Sequence, residues 1–81
     1  MRIFLTGFPD KFEKEDLRKM FGVYGTVKSV VINRRWMLGG SKSFGYVEMA
    51  EKEAAMKAIQ SLNKSMLRGR QLMVTKARLG S

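Results

Sequence analysis

The run Ser41-Lys42-Ser43-Phe44-Gly45-Tyr46-Val47-Glu48-Met49 reads as a strand that keeps its rings on the unexpected side. With a period of two, Lys42, Phe44, Tyr46 and Glu48 share one face, and Ser43, Gly45, Val47 and Met49 share the other. A half-buried strand ordinarily hides its aromatics and exposes its small residues. Here the second set is compact enough to lie under helices, which leaves two rings and a cation facing solvent. Such a surface suits a flat partner that carries negative charge.

Upstream of this run, Arg2-Ile3-Phe4-Leu5-Thr6 alternates and stops at Gly7, Phe8 and Pro9, predicting a first strand and a turn. Phe12 to Phe21 predicts a helix, because Leu17, Met20, Phe21 and Tyr24 recur at helical spacing. Glu13 as N-cap places Asp16 at N3 of a capping box and puts Phe12 and Leu17 at the staple positions. Thr26 to Asn33 is β-branched and apolar, a second strand whose unevenly spaced inward residues Val27, Val30 and Ile32 predict a bulge. Arg34 to Ser41, with Gly39-Gly40, is a loop. Downstream, Glu51 to Leu62 predicts a helix with Ala55, Ala58, Ile59 and Leu62 along one side. Asn63-Lys64-Ser65 ends it. Gly69-Arg70 then leads into a last strand with Leu72 and Val74 inward.

The order is strand, helix, strand, strand, helix, strand. Right-handed crossovers place the first and third strands side by side at the centre of a four-stranded antiparallel sheet. The fold class is therefore α+β, a ferredoxin-like β-α-β-β-α-β sandwich with both helices on one face. The other face carries Phe4, Thr6, Lys42, Phe44, Tyr46, Met73 and Thr75. Only four residues follow Ala77, so that face is expected to stay open or to meet a partner. The domain is expected to span residues 1–78, with 79–81 as a short tail.

At 81 residues the chain makes one small domain. Its size implies burial of roughly 60–65% of the unfolded surface and a stability on the order of 5 kcal/mol. Without cysteine there are no disulfides or thiolate metal sites. Histidine is also absent, and the seven acids show no calcium-loop spacing, so neither metal nor cofactor is expected. No apolar run approaches the roughly 20 residues that span a bilayer. Met1 leads straight into a strand-like segment without a signal-peptide pattern. The expected location is the cytoplasm, or the nucleus in a eukaryote, with no membrane partner.

Sixteen Lys and Arg against seven Asp and Glu give a formal charge of +9. The acids gather as Asp10, Glu13, Glu15 and Asp16 and as Glu48, Glu51 and Glu53, mostly where helices begin and the macrodipole favours them. The rest of the chain is almost wholly positive, which points to a polyanion. Nucleic acid is favoured over a membrane surface because no helix is both basic and strongly amphipathic.

Phe4, Phe44 and Tyr46 become neighbours on the open face. Stacking a base on an aromatic side chain contributes about 1–3 kcal/mol and needs a platform rather than a pocket. Lys42, Arg2, Lys76 and Arg78 at the margins would neutralise the linking phosphates, while Thr6, Met73 and Thr75 would form the floor. Arg34, Arg35 and Trp36, continued by Met37 and Leu38, make an unusual loop. Its Trp36 would stack a base, insert into an RNA loop, anchor a protein partner, or fold back on the domain edge.

Taken together these features resemble the RNA recognition motif family. Its octapeptide, Lys/Arg-Gly-Phe/Tyr-Gly/Ala-Phe/Tyr-Val-x-Phe/Tyr, is matched by Lys42-Ser43-Phe44-Gly45-Tyr46-Val47-Glu48-Met49. Its first-strand hexapeptide is matched by Ile3-Phe4-Leu5-Thr6-Gly7-Phe8. Ala55-x-x-Ala58-Ile59-x-x-Leu62-Asn63 and Gly69-Arg70-x-Leu72-x-Val74-x-x-Ala77 complete the likeness, which covers essentially the whole chain. The compact form starting at Met1 resembles the family's small bacterial single-domain members. The resemblance implies that Phe4 and Tyr46 stack two bases, that Phe44 lies against sugars between them, and that Lys42 meets a phosphate. Ser43 and Met49 depart from the family's glycine and aromatic, and Arg35 stands where many members have an acid. Lys64 replaces the usual glycine after Asn63, which predicts left-handed strain.

The expected activity is binding of single-stranded RNA by a monomer, with single-stranded DNA as a further ligand. The alternative is a protein-interaction module that uses the Trp36 loop or a helical face. An enzyme is not expected: there is no phosphate-cradling glycine loop followed by Arg and Asn, as in an acylphosphatase, and no histidine or cysteine.

Overall fold

β1 (Arg2–Thr6) takes the centre of the sheet because its alternate residues Ile3 and Leu5 have no access to solvent at all. The computed structural model describes residues 1–9, 11–33 and 44–77. Around β1 stand α1 (Lys14–Gly22), β2 (Val27–Asn33), β3 (Phe44–Met49), α2 (Lys52–Leu62), β4 (Met66–Leu67), β5 (Arg70–Gln71) and β6 (Met73–Lys76). The main sheet runs β2-β3-β1-β6, and every pairing is antiparallel. This is the expected sandwich, with β1 and β3 innermost. The expected bulge lies between Val27 and Ser29, where the register to β3 shifts.

The core fills the space between the sheet and the two helices. Ile3, Leu5, Val30, Val47, Met49 and Val74 come from the strands, Leu17 and Phe21 from α1, and Ala54, Ala55 and Ala58 from α2. Met49 is fully buried on this side, so its departure from the family's aromatic is a matter of packing. The alanines let α2 lie close: a Cβ built on Gly25 would stand 2.6 Å from the Ala54 Cβ. Among the described residues no helix is long and apolar enough to cross a membrane.

α1 begins two residues later than its apolar spacing predicts. Phe12 donates its N–H to the Pro9 carbonyl (3.0 Å) and stays in a turn, and the extended Glu13 is the N-cap. The Glu13 N–H donates to Asp16 Oδ2 at 2.8 Å, so Asp16 serves at N3 as expected. Phe12 packs its ring 6.5 Å from Phe8. At the other end Tyr24 lies beyond the helix, its N–H on the Phe21 carbonyl at 3.0 Å and its side chain half-buried against the core.

α2 is stitched to β6. Asn63 leaves the helix and accepts the Val74 N–H on Oδ1 at 3.0 Å; Lys64 donates to the Leu72 carbonyl at 2.7 Å, and Leu72 donates to the Ser65 carbonyl at 2.8 Å. Lys64 has φ 68, the left-handed strain its sequence position predicts, at about 1–2 kcal/mol for a residue with a Cβ. The short β4–β5 hairpin was not expected. It turns on Arg68 and Gly69, with φ 50 and 83, the two positive values of a type I′ turn.

Candidate nucleic-acid interface

Residues paired across an antiparallel ladder share a face of the sheet. The register therefore fixes what the helix-free side presents. Arg2 pairs with Glu48, Phe4 with Tyr46 and Thr6 with Phe44, while on the other flank of β1 Phe4 pairs with Thr75 and Thr6 with Met73. Ile3 and Leu5, which alternate with these, are sealed in the core. The strand period thus forces Phe4, Phe44 and Tyr46 out of the core together.

The three rings form a triangle. Phe4 and Tyr46 have centroids 5.4 Å apart, Phe4 and Phe44 5.8 Å, and Phe44 and Tyr46 6.0 Å, with interplanar angles of 56°, 39° and 88°. These separations lie within the range of mutually attractive aromatic pairs. Each ring is half-buried, braced at its edges by the others, and available to an incoming planar group. The guanidinium carbon of Arg2 lies 5.8 Å from the Tyr46 ring centroid. A cation is thus already beside the aromatic surface.

Of the residues singled out from the sequence, Arg2, Phe4, Thr6, Phe44, Tyr46, Met73 and Thr75 converge on this face. Lys76 does not join them directly. It pairs with the buried Ile3, so it leaves the sheet on the helix side, at the outer edge of β6. Lys42, Arg35, Trp36 and Arg78 lie outside the described residues, and so does the Arg34–Leu38 segment proposed as a protein anchor.

The face also holds residues that the sequence reading left unassigned. Val31 pairs with Tyr46, Asn33 with Phe44 and Ser29 with Glu48. Val31 is 47% exposed, an apolar shelf beside the Tyr46 ring. Its signal was present: if Val30 and Ile32 point inward, the residue between them points outward. The bulge at Val27 and Ser29 obscured the alternation from which that is read.

The sequence matches the RNA recognition motif family over residues 3–73. The chain belongs to that family. It is 35% identical over 72 residues to Ribosome biogenesis protein 15 of Saccharomyces cerevisiae, an alignment covering 89% of this chain and 33% of that protein. It is also 35% identical over 78 residues to the human RNA binding protein fox-1 homolog 3, covering 94% of this chain and 24% of that one. Both relatives are therefore much longer, and this chain spans a third or less of each. Among solved structures, that of RNA binding protein PG1 superposes with a TM-score of 0.84 at 32% identity, covering 95% of this chain and 93% of that one. The motif's two-helix, four-strand architecture is the one described above.

Proposed function

We propose that this RNA recognition motif binds single-stranded RNA across the β2-β3-β1-β6 face. The observation that carries the reading is the Phe4, Phe44 and Tyr46 triangle on the side of the sheet away from both helices. Phe4 and Tyr46 each stack one base, and Phe44 lies against the sugars between them. Arg2 holds a phosphate, with Lys42 and Arg78 assigned the same role at the margins and Thr6, Met73 and Thr75 forming the floor. The relatives are themselves named as RNA-binding proteins in two of the three comparisons. The chemistry is binding alone, by a monomer, and residues 1–78 form the binding unit. Single-stranded DNA is a second ligand, because stacking does not distinguish the sugars.

The test is titration of a fluorescently labelled, randomised tetranucleotide RNA pool with wild type, Phe4→Ala and Tyr46→Ala. Each variant is expected to weaken binding by about 1–3 kcal/mol while retaining the circular dichroism spectrum of the wild type. Equal affinities for all three proteins would remove the platform from the mechanism.

A further inference from the structure

Among the described residues, the two non-glycine positions with left-handed backbone are both cations, and both lie around the β4–β5 hairpin: Lys64 at φ 68 and Arg68 at φ 50. Glycine or asparagine meets such conformations at lower cost, above all in a type I′ turn. Strain kept at a charged residue points to a use for the charge. Arg70 stands across the ladder from Leu67, in the same hairpin. The wider charge pattern agrees. After Glu53 the chain carries Lys57, Lys64, Arg68, Arg70, Lys76 and Arg78 and no carboxylate.

The hairpin is also continuous with the aromatic platform. Thr6 and Met73 pair at the end of the sheet. One residue further on, Gly7 has φ 88 and backs directly onto the Gln71 carbonyl, where any side chain on Gly7 would collide. Arg70 lies three residues before Met73, roughly 10 Å along an extended chain. Arg68 is held in place: its guanidinium carbon lies 5.7 Å from the centroid of Phe12, a residue only 8% exposed. A guanidinium laid on a ring keeps its planar fork of N–H donors pre-organised for phosphate oxygens.

We propose that the β4–β5 hairpin is a second, phosphate-binding part of the interface. Arg68 and Arg70 receive the RNA backbone where the strand leaves the platform past Thr6 and Met73. This rests on the platform reading above, and it makes the footprint longer than the few nucleotides that three rings hold.

The experiment compares randomised RNA pools of four and twelve nucleotides on wild type, Arg70→Gln and the double variant Arg68→Gly, Arg70→Gln, across a salt series. Each lost contact lowers the slope of log affinity against log salt by about 0.7, so the double variant loses about 1.4 on the longer pool. That corresponds to about a fivefold loss per contact at 0.1 M relative to 1 M salt. Tetranucleotide binding is expected to weaken less, since two of its nucleotides are committed to Phe4 and Tyr46 and fewer phosphates remain for the hairpin. Arg68→Gly suits the left-handed turn, so folding is not the limit, and Arg70→Gln leaves the turn untouched. A double variant that matches wild type on the longer pool in both affinity and slope overturns the hairpin site and leaves the platform standing. Equal weakening on both pools overturns it as well. Failure of the platform is read separately, from wild type and Tyr46→Ala binding the tetranucleotide alike.

Discussion

The Arg2 guanidinium rests 5.8 Å from the centroid of Tyr46, over one of the rings assigned to base stacking. An exposed cation–π contact is worth about 0.5–1 kcal/mol, and a stacked base about 1–3 kcal/mol. On the proposed mode of binding, a base is expected to displace the guanidinium from the ring and Arg2 to turn to the phosphate beside it. Arg2→Ala is expected to lower the salt slope of RNA binding by about 0.7. Near 1 M salt, where the phosphate contact is screened, its affinity should equal or slightly exceed that of wild type. Anisotropy titrations at several salt concentrations check this, and an unchanged slope would show that Arg2 never leaves the ring.

Gly25 and Ala54 set how closely the turn between α1 and β2 approaches α2. Adding a methyl group at Gly25 brings two carbons to 2.6 Å, so α2 must shift. Gly25→Ala is expected to destabilise the fold by about 1–3 kcal/mol, as overpacked sites do. Ala54→Gly placed in the same chain should recover a good part of that loss by vacating the space. Urea midpoints of the four proteins of the cycle measure the coupling, and simple additivity of the two single changes would contradict the contact.

At Lys64 the backbone bears the strain of φ 68. Lys64→Gly is expected to raise the unfolding free energy by about 0.5–1 kcal/mol, the relief of the left-handed conformation less the extra freedom of glycine when unfolded. Lys64→Ala keeps the Cβ and should show no such gain. Chemical denaturation separates the two variants, and equal stability for both would mean that the strain is relaxed elsewhere.

The legibility of the sequence followed the reach of its periodicities. β1 and β3 bury every second residue, so Ile3, Leu5, Val47 and Met49 against Phe4, Phe44 and Tyr46 could be sorted without coordinates. The strain at Lys64 was legible because the family that the chain resembles keeps a glycine after Asn63, and Lys64 holds the left-handed backbone which that glycine implies. What escaped notice depended on contacts between distant segments. The Glu13 cap places Phe12 before the helix, but the contacts of its ring with Phe8 and the Arg68 guanidinium follow from no spacing in the sequence. Met66-Leu67 and Arg70-Gln71 are too short for any period, and only the Arg68-Gly69 pair hints at their hairpin. Lys76 looked like a marginal platform cation until its pairing with Ile3 placed it on the other side of the sheet.

Val31 gives the last test, because it stands exposed beside Tyr46 on β2. On the proposed mode of binding, a base stacked on Tyr46 is expected to extend over this apolar shelf, with the adjoining phosphates bringing negative charge close. Val31→Asp sets a carboxylate there, and like charges at a few ångströms near a protein surface repel by about 1–4 kcal/mol. Its RNA affinity should fall by about tenfold or more at low salt and recover partly as salt screens the repulsion. Val31→Thr keeps the shape without the charge and should bind within about twofold of wild type, since it adds no repulsion. A Val31→Asp protein that binds as tightly as wild type at low salt would mean that RNA does not cross the β2 edge of the sheet.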